Sequence, residues 1–390
     1  MVLRERTRAF GRLWDGAGAM RAVSTGGAPC GILYAMSRLA AVGVTVVFAL
    51  LPGQAAASAR FFGFNDNAPL THDLTIEQDA NLLASAGANS ARITLDWTWV
   101  EHAEGTLDLR LYDPIYAAWL SRGIRPVLIL TGSPRWAWPP WWTWPDLDYC
   151  FNGEPCHVPP DPSKDGDWAH FAAEVAKRYP AAAAIEVWNE PNVRGFFATG
   201  PDPVRYTQLL RLAHGAIKKV NPSMPVLGGS LASVLSDQRE TEGYGIEPFL
   251  YDMYRAGARG LMDGLSIHAY PHQGLAADVL AAVGAARRLR HGVPLWITEV
   301  GASTTGSTDP DTSGGYDDAR QAALLGLVVR ALIGMPDVAA VYIHTLADPR
   351  AIPPESPERG FGLLRSPSDE KPAFRVVSRI FRTARRAAAR

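Results

Sequence analysis

The most constraining feature of this sequence is an alternation of short apolar runs with longer amphipathic stretches from residue 60 onward. Runs rich in Val, Ile and Leu that alternate with helical patterns are typical of repeated βα units around a parallel sheet. Eight units can be counted, and their predicted strands cover residues 60–65, 89–95, 125–131, 184–189, 226–230, 264–268, 294–299 and 338–345. Eight strands with right-handed helical crossovers close into a barrel. The sequence therefore predicts an α/β protein with the (β/α)8 TIM-barrel fold.

The predicted helices share an amphipathic pattern and cover residues 75–86, 113–121, 168–179, 203–220, 276–290, 317–333 and 372–388. A barrel of roughly 250 residues fits within the 390 residues of the chain as one unit. No break in composition divides the sequence after residue 60. We therefore predict one catalytic domain over residues 60–390, preceded by an N-terminal extension over residues 1–59.

The N-terminal extension has the pattern of an export signal. Six arginines precede an apolar run over residues 39–51, and an Ala-rich segment that ends at Ala59 follows this run. A positive flank, a short apolar core and an Ala-x-Ala end are typical of a cleavable signal peptide. The apolar run is shorter than the ~20 residues that a membrane-spanning helix needs. We predict that Met36 starts the signal and that cleavage follows Ala59. The mature protein is then secreted or periplasmic and has no permanent membrane span.

Two of the three cysteines, Cys150 and Cys156, lie close together after the third predicted strand. Export to an oxidising compartment favours disulfide bonds. We therefore predict a disulfide between Cys150 and Cys156. A metal site is the alternative, but two cysteines with His157 beside them lack the usual spacing of four zinc ligands.

Charge and motif content exclude several classes of partner. The chain has 38 basic and 39 acidic residues, with a formal net charge of −1. No basic field points to nucleic acid, and the sequence has none of the nucleic-acid-binding motifs. It also lacks a His-Glu-x-x-His motif or an equivalent ligand set. We predict a protein that needs no metal or cofactor and does not bind nucleic acid.

Two predicted strands run directly into a glutamate at the point where each strand ends. The apolar segment over residues 184–188 leads to Glu190, and the segment over residues 295–298 leads to Glu299. In a (β/α)8 barrel the chemistry takes place at the C-terminal ends of the strands, so these two glutamates can converge on one site. Paired carboxylates that flank one bond are what glycoside hydrolysis requires.

The residues around these glutamates resemble those of a known superfamily. The strings are Trp188-Asn189-Glu190-Pro191-Asn192 and Ile297-Thr298-Glu299. They are similar to motifs of the retaining (β/α)8 glycoside hydrolases of clan A, which include the family 5 cellulases and the family 39 xylosidases. In that superfamily, Asn-Glu-Pro at the end of the fourth strand supplies the acid/base, and a glutamate at the end of the seventh strand supplies the nucleophile. The resemblance implies that Glu190 is the acid/base and Glu299 the nucleophile. An independent count of strands places them on the fourth and the seventh.

Four further polar residues are candidates for contacts with the substrate or with the nucleophile. Asn189 can bond a sugar 2-hydroxyl, and Arg92 can hold Glu299 ionised through a charge-assisted hydrogen bond. The string over residues 266–270 resembles the His-x-Tyr pair of the sixth strand, which implies that His268 is a sugar ligand and that Tyr270 donates to the nucleophile. Each residue also has a structural alternative, such as a strand-end cap, a buried ion pair or a packing role.

Other polar residues near strand ends are weaker candidates. His344 and Asp348 follow the eighth predicted strand and could reach the substrate. Glu186 lies in the middle of the fourth strand, too deep for substrate, and we expect it to pair with a buried basic residue. Glu101, in the loop after the second strand, is expected to be structural.

A loop rich in tryptophan and proline follows the third predicted strand. Indole rings stack on the flat apolar faces of sugars, and a rigid loop can hold such rings at the mouth of a barrel. The candidate platform consists of Trp136, Trp138, Trp141, Trp142 and Trp144, extended by Trp97 and Trp99 after the second strand. The alternatives are a hydrophobic mini-core beneath the loop and an interface with a membrane or another protein.

These observations predict an exported, retaining β-glycoside hydrolase that cleaves O-glycosidic bonds of a poly- or oligosaccharide. The resemblance implies a double displacement and a carboxyl separation of ~5–5.5 Å, whereas inverting enzymes need ~6.5–9.5 Å. Two alternatives remain open at this stage. One is a catalytically silent barrel that only binds carbohydrate, and the other is a transglycosylase that uses the same site.

Overall fold

A computed structural model of the chain describes residues 61–142, 157–235, 239, 243–271, 274, 276–306, 314–354 and 356–388. The N-terminal extension over residues 1–59 with its predicted signal peptide, the cysteines Cys150 and Cys156, and Trp144 lie outside the described residues. None of the helices in the described ranges has the length and apolar character that crossing a membrane requires.

Eight parallel strands form a closed barrel in the order in which they occur in the chain, and the eighth pairs with the first. The strands are β1 (Phe61–Asn65), β2 (Ser90–Asp96), β3 (Arg125–Thr131), β4 (Ala184–Val187), β5 (Val226–Leu231), β6 (Gly264–His268), β7 (Leu295–Val300) and β8 (Val338–His344). The predicted TIM-barrel fold and all eight predicted strands are confirmed. The largest difference is at β4, which ends two residues before its predicted end at residue 189.

The helices of the described residues are α1 (Ile76–Ala86), α2 (Trp97–Val100), α3 (Asp113–Ser121), α4 (Asp165–Arg178), α5 (Pro203–Val220), α6 (Ile246–Arg255), α7 (Ala276–Leu289), α8 (Asp318–Ile333) and α9 (Pro372–Ala388). A small antiparallel ribbon of β9 (Leu364–Ser366) and β10 (Asp369–Glu370) precedes α9. All seven predicted helices are present, whereas α2 and α6 were not predicted.

Local sequence signals account for the starts of several helices. Thr75 caps α1 by accepting a hydrogen bond from the backbone of Gln78, whose side chain accepts one from the Thr75 backbone. The Asp202 carboxylate caps α5, and Pro203 stands in its first turn. Such residues satisfy or replace the N–H groups that the first turn of a helix leaves unpaired. They fix where each helix begins after its loop.

Apolar packing joins the helices to the outside of the barrel. On the last helix, Phe381 is fully buried and contacts Phe62 and Phe64 of β1, with ring centroids 5.2 and 5.9 Å away. A second buried cluster is built mainly from strand residues, among them Val127, Leu227, Trp296 and Tyr342. Because all eight strands are parallel, their C-terminal ends open at one mouth, and polar residues at those ends lie together.

Candidate active site

Glu190 and Glu299 lie side by side at the mouth of the barrel. Glu190 follows β4, Glu299 is near the end of β7, and each residue is only 8% exposed. One carboxylate oxygen of each, together with one ring nitrogen of His268, forms a group whose atoms all lie within 4.8 Å of one another. The fold therefore brings together the two glutamates that the strand ends predicted, and it places a histidine between them.

Three donors fix the Glu299 carboxylate. Its Oε1 accepts hydrogen bonds from Arg92 Nη1 at 2.7 Å and from Asn65 Nδ2 at 3.0 Å. Its Oε2 accepts one from the Tyr270 hydroxyl at 2.6 Å. All four side chains are buried. Bonds of this kind to a charged oxygen are stronger than those between neutral groups, and they fix the orientation of the carboxylate.

The surroundings keep Glu299 ionised. Burial raises the pKa of the Glu299 carboxyl, but His268, His344 and Arg92 act against it electrostatically, and the Tyr270 hydrogen bond adds to their effect. Together they lower the pKa to about 2. Burial and the charge of Glu299 raise the pKa of Tyr270 well above its ordinary value, so the phenol stays protonated as a donor. A carboxylate that is ionised and nearly dry is suited to nucleophilic attack.

Arg92 connects the site to the inside of the barrel. Its Nε donates to Glu186 Oε2 at 2.6 Å, and its Nη2 donates to Asn189 Oδ1 at 2.9 Å and to Ser230 Oγ at 3.1 Å. Glu186 thus pairs with a buried basic residue, as predicted. Burial lowers the pKa of Arg92, but the charges of Glu186 and Glu299 raise it above its ordinary value. Asn189 is partly exposed at the edge of the cleft, where its side chain is oriented by the guanidinium.

A turn after β4 directs Glu190 into the cleft. Trp188 and Glu190 have positive φ angles of 71° and 44°. The Trp188 indole is buried and donates to the carbonyl of Phe196 at 2.6 Å, while the Glu190 backbone N–H donates to the carbonyl of Ser230 at 2.9 Å. Backbone in this region is strained for residues other than glycine and occurs most often at functional sites. The two anchors hold the turn in this conformation.

His268 contacts both glutamates. Its Nδ1 lies 2.6 Å from Glu190 Oε1 and 3.5 Å from Glu299 Oε2. Its Nε2 lies 3.1 Å from Ser230 Oγ and 3.4 Å from Arg92 Nη2. Each ring nitrogen can donate or accept, according to the tautomer. His268, predicted as a sugar ligand, thus contacts the Glu190 carboxyl.

The end of β8 contributes His344. Its Nε2 lies 3.0 Å from Glu358 Oε2, and its Nδ1 lies 3.0 Å from Asn65 Nδ2 and 3.9 Å from Glu299 Oε2. Burial lowers the pKa of His344, but the Glu358 hydrogen bond and the charges of Glu299 and Glu358 raise it to about 9. Asp348, the other candidate after β8, lies 2.9 Å from the buried amine of Lys371. It joins the loop to the start of α9 and is not close to the glutamates.

The tryptophans of the predicted platform divide into buried and exposed groups. Trp97 is fully buried, stacks on Phe171 with ring centroids 5.5 Å apart, and donates from its indole nitrogen to Glu101 Oε2 at 2.7 Å. Its predicted role in sugar binding is therefore wrong, because α2 turns this ring into the core. Glu101 is structural, as expected. Trp136 packs edge-on against Trp97 and donates to the carbonyl of Glu101 at 3.0 Å, so it is half-buried.

The outer part of this loop is more exposed. Trp138 is half-buried, donates to the carbonyl of Ser133 at 2.8 Å, and packs edge-on against Trp142. Trp141 is 67% exposed, and Trp99 is exposed as well. Trp138, Trp141 and Trp142 follow β3 on the mouth side of the barrel, where a sugar could reach them.

Three site residues were missed in the sequence. Asn65 contacts Glu299, Ser230 contacts Arg92, and Glu358 contacts His344. Asn65 ends β1 and Ser230 lies near the end of β5, so the strand-end rule that selected Glu190 and Glu299 could also have selected these two. Glu358 comes from a loop well after β8, and no pattern in the sequence marks it.

The same cluster is the one place among the described residues where three acidic or histidine side chains could hold a metal ion. It consists of Glu190, His268 and Glu299, all buried. The His268 Nδ1 is already bonded to Glu190, and the Glu299 oxygens already accept from three donors. These atoms are the ones that a paired-carboxylate mechanism would use.

Comparison with known proteins supports the fold. No protein-family model and no curated protein matches the sequence. Among solved structures, the chain is similar to a family 39 glycoside hydrolase from the gut symbiont Bacteroides cellulosilyticus WH2, with a TM-score of 0.62 and 21% identity, over 84% of this chain and 64% of that chain. It is also similar to a GH39 β-xylosidase from Caulobacter crescentus, with a TM-score of 0.59 and 23% identity, over 84% and 72%.

A third similar structure is a GH5_18 protein from Streptomyces cattleya in complex with GlcNAc, with a TM-score of 0.60 and 18% identity, over 85% of this chain and 81% of that chain. The chain has the barrel fold of family 39 and family 5 glycoside hydrolases. The resemblance predicted from the sequence is thus confirmed at the level of the fold. The chain spans just under two thirds of the length of the Bacteroides protein.

Proposed function

We propose that the protein is a retaining β-glycoside hydrolase that acts on a poly- or oligosaccharide, with Glu190 as acid/base and Glu299 as nucleophile. The observation that carries the proposal is the close pair of carboxylates, whose nearest oxygens lie within 4.8 Å. This separation fits the ~5–5.5 Å of retaining enzymes better than the ~6.5–9.5 Å that an inverting enzyme needs for its water. The fold supports the proposal, and the different surroundings of the two glutamates support the assignment of their roles.

In the first step, a Glu299 carboxylate oxygen attacks the anomeric carbon as the bond to the leaving oxygen breaks. Glu190 gives its proton to the leaving oxygen and becomes a carboxylate. The contact of 2.6 Å between His268 Nδ1 and Oε1 of Glu190 orients the carboxyl for this transfer. The sugar is now bound to Glu299 as an ester, and the leaving group departs as an alcohol.

In the second step, water attacks the anomeric carbon from the side that the leaving group vacated. Glu190 takes a proton from the water, the ester bond breaks, and Glu299 returns to its ionised state. Two inversions at one carbon give net retention of configuration. As the negative charge returns to Glu299, it is stabilised by hydrogen bonds from Arg92, Asn65 and Tyr270, whose donors are already in place.

Rescue by azide tests the two roles separately. Glu190→Ala should lower kcat by about 10²–10⁴-fold, and azide should restore turnover and give a β-glycosyl azide. Glu299→Ala should lose activity, and azide should give the α-glycosyl azide, because only one displacement remains. The substrate would be an aryl β-glycoside chosen from a panel by its hydrolysis by the wild-type protein.

Glu101→Gln is the matched control, because Glu101 is a buried carboxylate bonded to Trp97 and to the Gly105 backbone, outside the cleft. It should retain the wild-type azide response. Equal activity of wild type and both alanine variants would contradict the two assigned roles. No turnover of any glycoside, with intact sugar binding, would favour the carbohydrate-binding barrel. Products longer than the substrate would identify a transglycosylase with the same two glutamates.

We also propose that the protein is exported and that residues 1–59 are removed. The support is the sequence pattern of an Arg-rich flank, a short apolar core and an Ala-x-Ala end. Expression of the full chain in a bacterial host, followed by N-terminal sequencing of the protein outside the cytoplasm, should give Arg60 as the first residue. An intact N-terminus on cytoplasmic protein would contradict export.

A further inference from the structure

A chain of three buried charged groups lies at the base of the site. Arg92 of β2 is between Glu186 of β4 and Glu299 of β7, with contacts of 2.6 and 2.7 Å. The Arg92 and Glu186 side chains have no solvent exposure. In the described part of the chain, these two glutamates are the carboxylates that pair with Arg92. One cation is thus shared by a carboxylate at the reaction centre and a carboxylate beneath it.

The hydrogen bonding of Glu186 is incomplete. Its Oε2 accepts from Arg92, but its Oε1 is buried and has no hydrogen-bond partner. A buried carboxylate with an unsatisfied oxygen is costly for the fold. Among the described residues, the Glu186 carboxylate thus has one hydrogen-bond partner, the Arg92 guanidinium.

The proposed reaction changes the charge on one side of this chain. Formation of the glycosyl ester neutralises Glu299, while Arg92 keeps its positive charge throughout. Without Glu186, the ester would leave a buried guanidinium with no counter-ion, which is strongly unfavourable. With Glu186 in place, Arg92 stays paired at every step. In the resting state Glu186 also shares the Arg92 guanidinium with Glu299. The ionised Glu299 carboxylate is therefore stabilised less and is a better nucleophile.

We infer that Glu186 is a positioning residue that serves as the permanent counter-ion of Arg92 and stabilises the covalent intermediate relative to the ionised resting state. The inference rests on the proposed function. It predicts opposite effects of removing Glu186 on the two half-reactions. Formation of the ester becomes slower, and its hydrolysis, which returns a negative charge beside Arg92, becomes faster.

The test is Glu186→Gln, which removes the charge and nearly preserves the shape. Wild type and variant are inactivated with a 2-deoxy-2-fluoro β-glycosyl fluoride of the sugar that the wild type hydrolyses, and the rate of inactivation is measured. Excess reagent is then removed, and the rate at which activity returns is measured. Inactivation should be at least tenfold slower in the variant, and reactivation at least tenfold faster. If both rates stay within twofold of wild type, or both decrease, the inference is wrong.

Two further variants complete the design. Glu101→Gln should leave both rates unchanged, because Glu101 lies outside the charged chain. Glu186→Asp keeps the negative charge, and its reactivation rate should be within threefold of the wild-type rate. A reactivation rate tenfold faster than that of the wild type would contradict the inference. This variant provides the test if Glu186→Gln does not fold. Failure of the wild type itself to become labelled, despite hydrolysing the glycoside, would instead count against the proposed double displacement.

Discussion

At the scale of single residues, the site shows how two glutamates acquire different roles. Glu299 accepts from Arg92, Asn65 and Tyr270. Against the effect of burial, its pKa is held at about 2 by His268, His344 and Arg92 electrostatically and by the Tyr270 hydrogen bond. Glu190 has a single close side-chain contact in the described structure, the 2.6 Å bond with His268. Surroundings that differ in this way support the proposed roles of Glu299 as nucleophile and Glu190 as acid.

Tyr270→Phe tests the donors around the nucleophile. The change removes one hydrogen bond to Glu299 Oε2 and keeps the ring. The bond fixes the orientation of the Glu299 carboxylate, and misplacement of a reacting group by about 1 Å can cost about a hundredfold in rate, so kcat/KM should fall by roughly ten- to a hundredfold. Steady-state kinetics on an aryl glycoside measures the effect. Tyr251→Phe, at an exposed position on α6, should leave kcat/KM within twofold, and an equally small effect at Tyr270 would contradict the assignment.

Sequence could predict which residues meet at the mouth of the barrel but not all of their contacts. Glu190, Glu299 and Arg92 were identifiable because strand ends meet at one mouth and the motifs are specific. Trp97 was assigned wrongly, because composition alone does not reveal which way the ring at the start of a four-residue helix points. The contact of Glu358 with His344 depends on a loop path that no local pattern specifies.

At the scale of elements, strands and long helices were predictable because their apolar periodicity persists over several residues. Two helices were missed for different reasons. α2 has four residues, too few to show the apolar periodicity of a helix. α6 contains Pro248, which indicates a helix break in the sequence, although proline is tolerated in the first turn of a helix.

Phe381→Ala tests how α9 is held to the barrel. The side chain is fully buried against Phe62 and Phe64. Truncation of a buried phenylalanine costs about 3–5 kcal/mol, so the free energy of unfolding should fall by that amount in a denaturant titration. Arg379→Ala, at an exposed position on the same helix, should change it by less than about 0.5 kcal/mol. Similar effects of the two variants would show that the α9 packing is not as described.

Asp79→Asn tests an unfavourable charge between α1 and the barrel. Burial and the neighbouring Asp66 carboxylate raise the pKa of Asp79 well above its ordinary value, and its Oδ2 accepts from Trp119 at 2.5 Å. A carboxyl whose pKa is raised by folding makes the protein less stable as pH rises above 3.8, its ordinary pKa. The Asp79→Asn protein should therefore be more stable than the wild type at pH 7, by about 1 kcal/mol or more.

Thermal unfolding of the wild type and of Asp79→Asn at pH 7 and at pH 3.5 measures this difference in stability. The advantage of the amide should shrink at the lower pH, where the wild-type carboxyl is protonated in both states. Asp108→Asn, at an exposed position, should leave the melting temperature at pH 7 nearly unchanged. A less stable Asp79→Asn protein at pH 7 would contradict this account.

At the scale of the whole molecule, the site depends on barrel closure. Asn65 and Glu299 are 234 positions apart in the chain, yet β1 and β7 bring them within hydrogen-bonding distance. Parallel topology, which the sequence predicts, is sufficient to place such residues at one mouth. The distances between them depend on register and turn geometry, such as the positive φ angles at Trp188 and Glu190, and these could not be predicted from the sequence.

The pH dependence of the stability of the protein should reflect the ionisation of the Glu299 carboxyl. Its pKa is lowered from 4.5 to about 2 in the folded protein, so its ionisation contributes stability that is present above pH 4.5 and is lost as pH falls toward 2. The melting temperature of the wild type relative to Glu299→Gln should therefore decrease as pH falls from 4.5 toward 2. It should also decrease as pH rises above 6.5, because the charge of Glu299 contributes to the raised pKa of His344. A difference that stays constant or grows as pH falls from 4.5 would contradict the described surroundings of Glu299.

The central claim is that Glu299 forms a covalent bond with the sugar. The most direct test incubates the wild-type protein with a panel of activated 2-deoxy-2-fluoro β-glycosides, digests it, and locates the modified peptide by tandem mass spectrometry. We expect a single label on Glu299 and a loss of activity that parallels labelling. A label on Glu190 or another residue, or hydrolysis with inverted configuration and no label on the protein, would contradict it.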